Sequence, residues 1–221
     1  MKKILLLIVI VSACSSFAQP NCNIYSKNDP KRKACELSNE AIKYRQGSRK
    51  SQELFDSVIA MAPDFAWAYY EKSVPYFKRG FLNKGLKILN KALEINPLDY
   101  LCYRAYWYWQ YKNYELCIED LETYYALPKA YYQSTPGGEK DMRIILGLAY
   151  AKIGNFKKGI EVINDCLSTN ETKIDFGYAD YLSLGMLYFF NTEYDKAKFA
   201  LKKQLLIIEN TAEAYYFLSP N

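Results

Sequence analysis

Apolar residues recur along this 221-residue chain at the three- and four-residue spacing of helices that bury one face, with short polar turns between the blocks. Two blocks align closely: LGLAYAKIGNFKKGIEVINDCL at 146–167 and LGMLYFFNTEYDKAKFALKKQL at 184–205. Both contain Leu-Gly, a tyrosine three residues after the glycine, and an aromatic residue six positions further on. Each block predicts two helices joined by a turn.

A period of 34 residues appears elsewhere in the chain. The segments AMAPDFAWAYY and EINPLDYLCYR place Pro63 and Pro97 thirty-four positions apart, and proline ends a helix because it cannot continue the hydrogen-bond ladder. These blocks resemble tetratricopeptide repeats, a family with this period. The resemblance implies an all-α fold, an α-solenoid of about five helix-turn-helix repeats that form a right-handed superhelix.

The resemblance divides the chain into a repeat domain at 31–221, preceded by a signal peptide at 1–18 and an extension at 19–30. The first unit departs from the pattern, because Asn39 and Glu40 stand where a small residue is expected, and it is interpreted as an irregular cap. The final helix is short for the polar helix that usually closes such a stack. The units are predicted at 31–63, 66–97, 98–127, 140–171 and 178–209, with an insertion at 128–139, a further short insertion around Asn170 to Ile174, and a C-terminal helix at 211–219.

Small residues carry the contact between the two helices of a unit. In the family, a small residue on the first helix faces a small residue on the second, so that the backbones approach each other. Gly147 and Gly159 occupy these positions in the fourth unit. The resemblance therefore implies close backbone packing at this pair.

The aromatic run YLCYRAYWYWQY, from Tyr100 to Tyr111, divides between packing and a groove. Tyr100, Trp107 and Tyr111 are expected to pack toward the preceding unit, whereas Cys102, Tyr106 and Trp109 form a separate i, i+4, i+7 stripe. In the family this stripe lines a concave groove. The residues that the resemblance assigns to a partner-binding groove are Trp67, Tyr70, Val74, Phe77, Lys78, Tyr103, Tyr106, Trp109, Leu148, Lys152, Met186 and Phe189.

An alternative for the groove remains open. Large exposed apolar patches mark interaction sites, and so many aromatic residues exceed what the repeat itself requires. The same rings could instead bury one another if the superhelix coils tightly or the insertion folds inward.

Charge and composition exclude several functions. There are 29 basic and 24 acidic residues, and without Lys2 and Lys3 the formal excess is three, with no basic stripe to bind nucleic acid. The chain has no histidine, which excludes Ser-His-Asp and Cys-His nucleophile systems and imidazole metal sites. We expect a protein that is not an enzyme and uses no metal and no cofactor.

The N-terminus resembles an export signal. Two lysines precede the apolar run ILLLIVIV, which is too short to span a bilayer but suits a signal peptide. Cleavage after Ala18 would follow an ordinary signal-peptidase pattern. The alternative is VSAC, ending at Cys14, which resembles a bacterial lipobox and would make that cysteine a lipid anchor, the one membrane attachment we expect.

Five cysteines follow Cys14, an odd number that implies no complete disulfide framework. Cys22 and Cys35 could pair and fix the N-terminal segment, although their spacing alone does not decide this. The other three lie in helical patterns, where cysteine behaves as a small buried apolar residue.

These observations favour an exported scaffold, periplasmic or secreted, whose groove binds a peptide or a partner's helix. The alternatives are a structural lipoprotein subunit of an outer-membrane or secretion assembly, and a glycan-binding module that uses stacked aromatic rings.

We predict cleavage after Ala18, giving a mature chain that begins at Gln19 and is soluble outside the cytoplasm. The intact mass of the native protein tests this. A much heavier, detergent-partitioning protein that begins at Cys14 would show the lipoprotein alternative instead.

Overall fold

The computed structural model describes residues 20–170 and 179–219, and in these ranges the regular structure is helical, apart from one isolated bridge between Ser134 and Asp141. The predicted all-α class is confirmed. The predicted signal segment, with Cys14, and most of the predicted connection from Asn170 to Ile174 lie outside the described residues. The helices are α1 (Pro30–Ala41), α2 (Arg49–Met61), α3 (Ala66–Lys78), α4 (Leu82–Ile95), α5 (Pro97–Gln110), α6 (Tyr114–Ala126), α7 (Met142–Lys152), α8 (Phe156–Asn170), α9 (Asp180–Phe190), α10 (Tyr194–Ile207) and α11 (Ala212–Leu218).

The chain forms two compact units, Met1–Pro63 and Asp64–Asn221. In the first, a 3-10 turn at Cys22–Ile24 precedes the hairpin of α1 and α2. The Asp29 carboxylate accepts a hydrogen bond from the backbone N–H of Lys31 at 2.8 Å and so caps α1. A disulfide joins Cys22 to Cys35 and links the 3-10 turn to α1.

The second unit is a series of helical hairpins. Helix α3 packs on α4, α5 on α6, α7 on α8, and α9 on α10, while α4, α6 and α8 also contact the first helix of the next pair. The short helix α11 packs on α9 and α10. Each hairpin thus buries its apolar face against its neighbours, which is the packing of a solenoid.

The turn inside each of these hairpins contains a residue in the left-handed region. Gly80 and Gly154 adopt φ values of 84° and 85°, which glycine adopts without steric cost. Lys112 and Thr192 occupy the corresponding turns with φ values of 60° and 63°. The repeat therefore imposes one backbone geometry even where the sequence does not supply glycine.

Gly147 and Gly159 form the predicted close contact. A Cβ atom added to Gly147 would lie 2.7 Å from the carbonyl oxygen of Gly159, and one added to Gly159 would meet the carbonyl oxygen of Gly147. The added Cβ at Gly159 would also lie 3.0 Å from Leu187 of the next hairpin. Glycine at these positions lets α7 approach α8, and lets α8 approach α9 of the next hairpin.

A buried ion pair links three helices of the second unit. Arg104 on α5 donates two hydrogen bonds to the Asp120 carboxylate on α6, at 2.8 and 2.6 Å, and a third to Asn90 on α4 at 2.8 Å. Burial raises the pKa of Asp120, although the hydrogen bonds from Arg104 oppose that shift. Because the pair is bidentate, it fixes the orientation of α5 against α6.

Among the described residues, no helix is both long enough and apolar enough to cross a membrane.

We predict that Gly159→Ala lowers the free energy of unfolding by about 1–3 kcal/mol, because the new methyl group overlaps a backbone carbonyl that cannot move alone. Gly137→Ala is the matched control. Its Cβ would lie 3.4 Å from the Glu139 side chain, an ordinary contact, so stability should change little. Thermal and denaturant unfolding of both variants measures the difference. If the two variants were equally stable, α7 and α8 could move apart to accept the methyl group without a loss of stability.

Candidate binding groove

The predicted groove differs between its two ends, and the α3 end is filled by its own side chains. Phe77 is 1% exposed and Val74 is 5% exposed, so both belong to the core. The Phe77 ring stacks on Trp107, with centroids 5.0 Å apart and planes 11° apart. The assignment of Phe77 and Val74 to an open groove was therefore wrong.

The burial of Phe77 has a specific cause. A Cβ atom on Gly85 of α4 would lie 2.9 Å from the Phe77 ring, so the ring occupies the space that this glycine leaves. Trp107 covers the ring from α5, and the hydroxyl of Tyr111 donates to the Phe77 carbonyl oxygen at 3.4 Å. Trp107 and Tyr111 thus pack toward the preceding hairpin, as the sequence predicted.

Tyr70 and Tyr103 lie between core and surface. Tyr70 stacks on Tyr100 at 5.3 Å and meets the edge of Tyr103 at 4.8 Å. Burial, and secondarily the carboxylate of Glu71, raises the pKa of Tyr70 to about 12. Burial also raises the pKa of Tyr103. Both hydroxyls therefore stay protonated at neutral pH, and the pair presents a neutral surface.

The other predicted residues at this end lie at its margins. Tyr106 is half-buried and meets Trp107 edge-on at 5.5 Å. Trp67 is half-buried and its ring lies 6.4 Å from that of Phe65, while Lys78 is exposed. Cys102, on the predicted stripe, is buried, and burial raises the pKa of its thiol. This end of the groove offers few open contacts.

The other end is open and forms a cavity of about 490 Å³ between α5, α7 and α9. It brings together four of the predicted groove residues, which come from three different hairpins. The lining is Trp109, Lys140, Leu148, Ala151, Lys152, Phe156, Ala179, Leu182, Ser183, Met186, Leu187 and Phe190.

The cavity combines an apolar lining with two positive charges. Leu148, Met186 and Trp109 supply a half-buried apolar surface. Lys140 and Lys152 also line the cavity, and neither ammonium group has an ion-pair partner in the part of the chain that the structure describes. A ligand with an apolar group and a carboxylate could pack on the apolar lining and form an ion pair with one of the lysines.

Phe189 does not line this cavity. Its ring contacts Phe190 at 5.7 Å, Tyr194 at 5.5 Å and Phe217 of α11 at 5.1 Å. The short C-terminal helix therefore covers the ring that the repeat register assigned to the groove.

Lys140, Phe156 and Phe190 line the cavity although the predicted groove did not include them. Phe156 begins α8, and its ring lies 6.4 Å from that of Phe190 at the end of α9. The sequence did mark Phe156, because it is the aromatic residue that both aligned blocks place six positions after a tyrosine, here Tyr150. Lys140 directly follows the insertion at 128–139 and precedes α7.

Within residues 20–170 and 179–219, no cluster of three histidine, cysteine, aspartate or glutamate residues could hold a metal ion. Cys102, Cys117 and Cys166 are buried, and none of them forms a disulfide within the described part of the chain. Burial raises the pKa of the Cys117 thiol to about 12, so it is a poor nucleophile at neutral pH.

Solved structures with the same architecture match 80–85% of this chain. MamA from Desulfovibrio magneticus RS-1, solved from residue 41 to its end, is 15% identical with a TM-score of 0.63, and the match covers 85% of this chain and 99% of that one. YrrB, described as a TPR protein with an unusual peptide-binding site, is 16% identical with a TM-score of 0.62 over 85% and 89% of the two chains. TPR-like repeats assigned as a kinesin light chain from Podospora anserina are 17% identical with a TM-score of 0.60 over 80% and 95%.

This chain has the α-solenoid fold of tetratricopeptide-like repeat proteins. No protein-family model matches the sequence, and no curated protein matches it either. At 15–17% identity the structural likeness shows the fold alone.

Phe77→Ala should lower the free energy of unfolding by about 3–5 kcal/mol, because it removes a buried ring that Gly85 and Trp107 enclose. Phe190→Ala is the matched control, since its side chain is 55% exposed, and it should cost less than about 1 kcal/mol. Denaturant unfolding with circular dichroism compares the two. Equal losses would mean that Phe77 is not a core residue.

Proposed function

We propose that this protein is a non-catalytic interaction scaffold and that it binds a peptide or a partner's helix in the cavity between α5, α7 and α9. The observation that carries the proposal is an apolar cavity of about 490 Å³ flanked by two lysines without ion-pair partners among the described residues. A cavity of this size accommodates one or two large side chains and lies within the range of natural ligand sites.

The lining defines the chemistry of the occupant. Trp109, Leu148 and Met186 favour a large apolar side chain, and methionine adapts its shape to different partners. Lys140 and Lys152 favour a carboxylate beside that side chain, because a nearby negative charge steers association and restricts orientation. The proposed ligand is therefore a segment with a large apolar residue flanked by aspartate or glutamate.

The arrangement of the helices favours a polypeptide over a small molecule. The cavity is open, and its residues come from successive hairpins, so an extended peptide or a helix could contact several repeats at once. The peptide-binding site named for the structurally similar YrrB supports this choice.

We propose that the protein acts outside the cytoplasm, in the periplasm or as a secreted protein, on the basis of the signal-like N-terminus. The second candidate, a lipid-anchored structural subunit of an outer-membrane or secretion assembly, depends on the VSAC sequence that ends at Cys14. Both candidates use the same cavity, and they differ in how the N-terminus is processed.

Selection from a random-peptide display library tests the proposed site. The library is selected against the wild-type protein and depleted on Trp109→Ala, so that peptides specific to the cavity are retained. We expect the enriched peptides to share a large apolar residue beside an acidic one. In calorimetric titrations of these peptides, Trp109→Ala and Met186→Ala should each weaken binding by about 1–4 kcal/mol.

A charge comparison makes the test specific. Lys152→Glu should weaken binding further, whereas Lys202→Glu, which changes an exposed lysine on α10 outside the cavity, should have little effect. If no peptide is enriched, or if the enriched peptides bind Trp109→Ala as tightly as wild type, the cavity is not a peptide site.

A further inference from the structure

A second cavity, of about 790 Å³, lies between the insertion and helix α8. It shares no lining residue with the proposed peptide site. Its lining is Tyr125, Ala130, Tyr131, Tyr132, Arg143, Leu146, Lys158, Glu161, Val162, Asp165 and Thr169. The cavity depends on the insertion, which the regular repeat lacks, so repeat packing alone does not account for it.

Hydrogen bonds hold the insertion in place. The Tyr124 hydroxyl, on α6, donates to the carbonyl oxygen of Tyr131 at 2.8 Å and accepts from its backbone N–H at 3.1 Å. The N–H of Thr135 donates to the Lys140 carbonyl, and that of Met142 donates to the Gln133 carbonyl, each at 2.8 Å. The loop is therefore preformed, which lowers the entropic cost of binding at its side chains.

The insertion presents two tyrosine rings to solvent. Tyr131 is 53% exposed and Tyr132 is 48% exposed, although both line the cavity. The Arg143 guanidinium lies 4.1 Å from the Tyr132 ring and donates to Thr169 at 2.7 Å. Arg143 thus fixes the positions of groups on both sides of the cavity.

Helix α8 supplies polar groups on the other side. Lys158, Glu161, Asp165 and Thr169 follow one another at spacings of three and four residues, which places them on one face of the helix. In this row Lys158 is a hydrogen-bond donor, the two carboxylates are acceptors, and the threonine hydroxyl can be either.

Three of the four charged side chains of the lining form ion pairs, one of them with a residue outside the lining. Arg143 forms an ion pair with Asp141 at 2.7 Å, and Lys158 forms one with Glu161 at 2.9 Å. The Asp165 carboxylate lacks such a partner among the described residues. The lining contains two basic and two acidic side chains, so its formal charges cancel and give no net attraction to an anion or to a cation. A neutral polar ligand fits such a lining.

One polar group in the residues that line the cavity lacks a hydrogen bond within the described structure. The Tyr125 hydroxyl is buried and has no hydrogen-bond partner among the residues that the structure describes. Buried polar groups are nearly always hydrogen-bonded. The described residues supply no hydrogen-bond partner for this hydroxyl.

We propose that this cavity binds a neutral oligosaccharide. A sugar ring has an apolar C–H face that can pack on Tyr131 or Tyr132, and its hydroxyls can donate to Asp165 and accept from Lys158. The volume suits a ligand of a few sugar rings. This proposal stands independently of the peptide site.

Calorimetric titration with maltohexaose, cellohexaose and xylohexaose tests the proposal on the purified protein. At least one of these neutral oligosaccharides should bind. Asp165→Ala should weaken that binding about tenfold or more, because it removes a charged hydrogen-bond acceptor, and Tyr131→Ala should weaken it about threefold to tenfold. Tyr216→Ala, which removes a 76% exposed tyrosine of α11, should leave the affinity unchanged.

Folding controls accompany each titration. Asp165 and the Tyr131 ring are exposed, so both variants should retain the wild-type circular dichroism spectrum and melting temperature within a few degrees. If none of the three oligosaccharides binds, or if the two variants bind as tightly as wild type, the proposal is wrong. Binding of an acidic or basic peptide that depends on Asp165 or Tyr131, with no sugar binding, would also overturn it and assign the cavity to a protein partner.

Discussion

Close packing at Gly147 and Gly159 sets how α7, α8 and the following hairpin fit together in the second compact unit. Gly147 and Gly159 allow the two backbones to touch, and Leu187 of the next hairpin packs against Gly159. One small-residue contact therefore sets the spacing within a hairpin and the position of the following one. Because stability in a solenoid comes from adjacent units, a change in this spacing would propagate along the stack.

The same helix contributes to both candidate sites. On α7, Leu148 and Lys152 line the cavity shared with α5 and α9, whereas Arg143 and Leu146 line the cavity beneath the insertion. Leu146 and Leu148, two positions apart, reach different surfaces because successive helical residues are about 100° apart around the axis. The spacing that packs α7 thus also fixes the walls of both cavities.

The sequence predicted the regular features of the fold well, because each depends on local residue types. Gly147 and Gly159 are in contact, Gly138 donates to the Thr135 carbonyl in a turn, and a short helix spans Ala212–Leu218. The groove assignment was less accurate. A residue's position within a repeat does not show whether side chains of neighbouring helices already occupy the space beside it. Phe77 lies in the core and not in the groove because Gly85 leaves room for its ring. Phe189 is covered by Phe217 of α11. Lys140 opens the predicted fourth unit and lies before α7, ahead of the helical positions from which the groove was assigned.

The most direct test of the binding account is hydroxyl-radical footprinting of the protein with and without a peptide selected for the cavity. Met186 and Trp109 line the cavity and are half-buried, while Met61, 43% exposed on α2, supplies an internal control from the first compact unit. The account predicts that bound peptide reduces the oxidation of Met186 and Trp109 several-fold and leaves Met61 unchanged. Unchanged oxidation of Met186 at saturating peptide would contradict it, because the ligand would then lie outside the cavity between α5, α7 and α9.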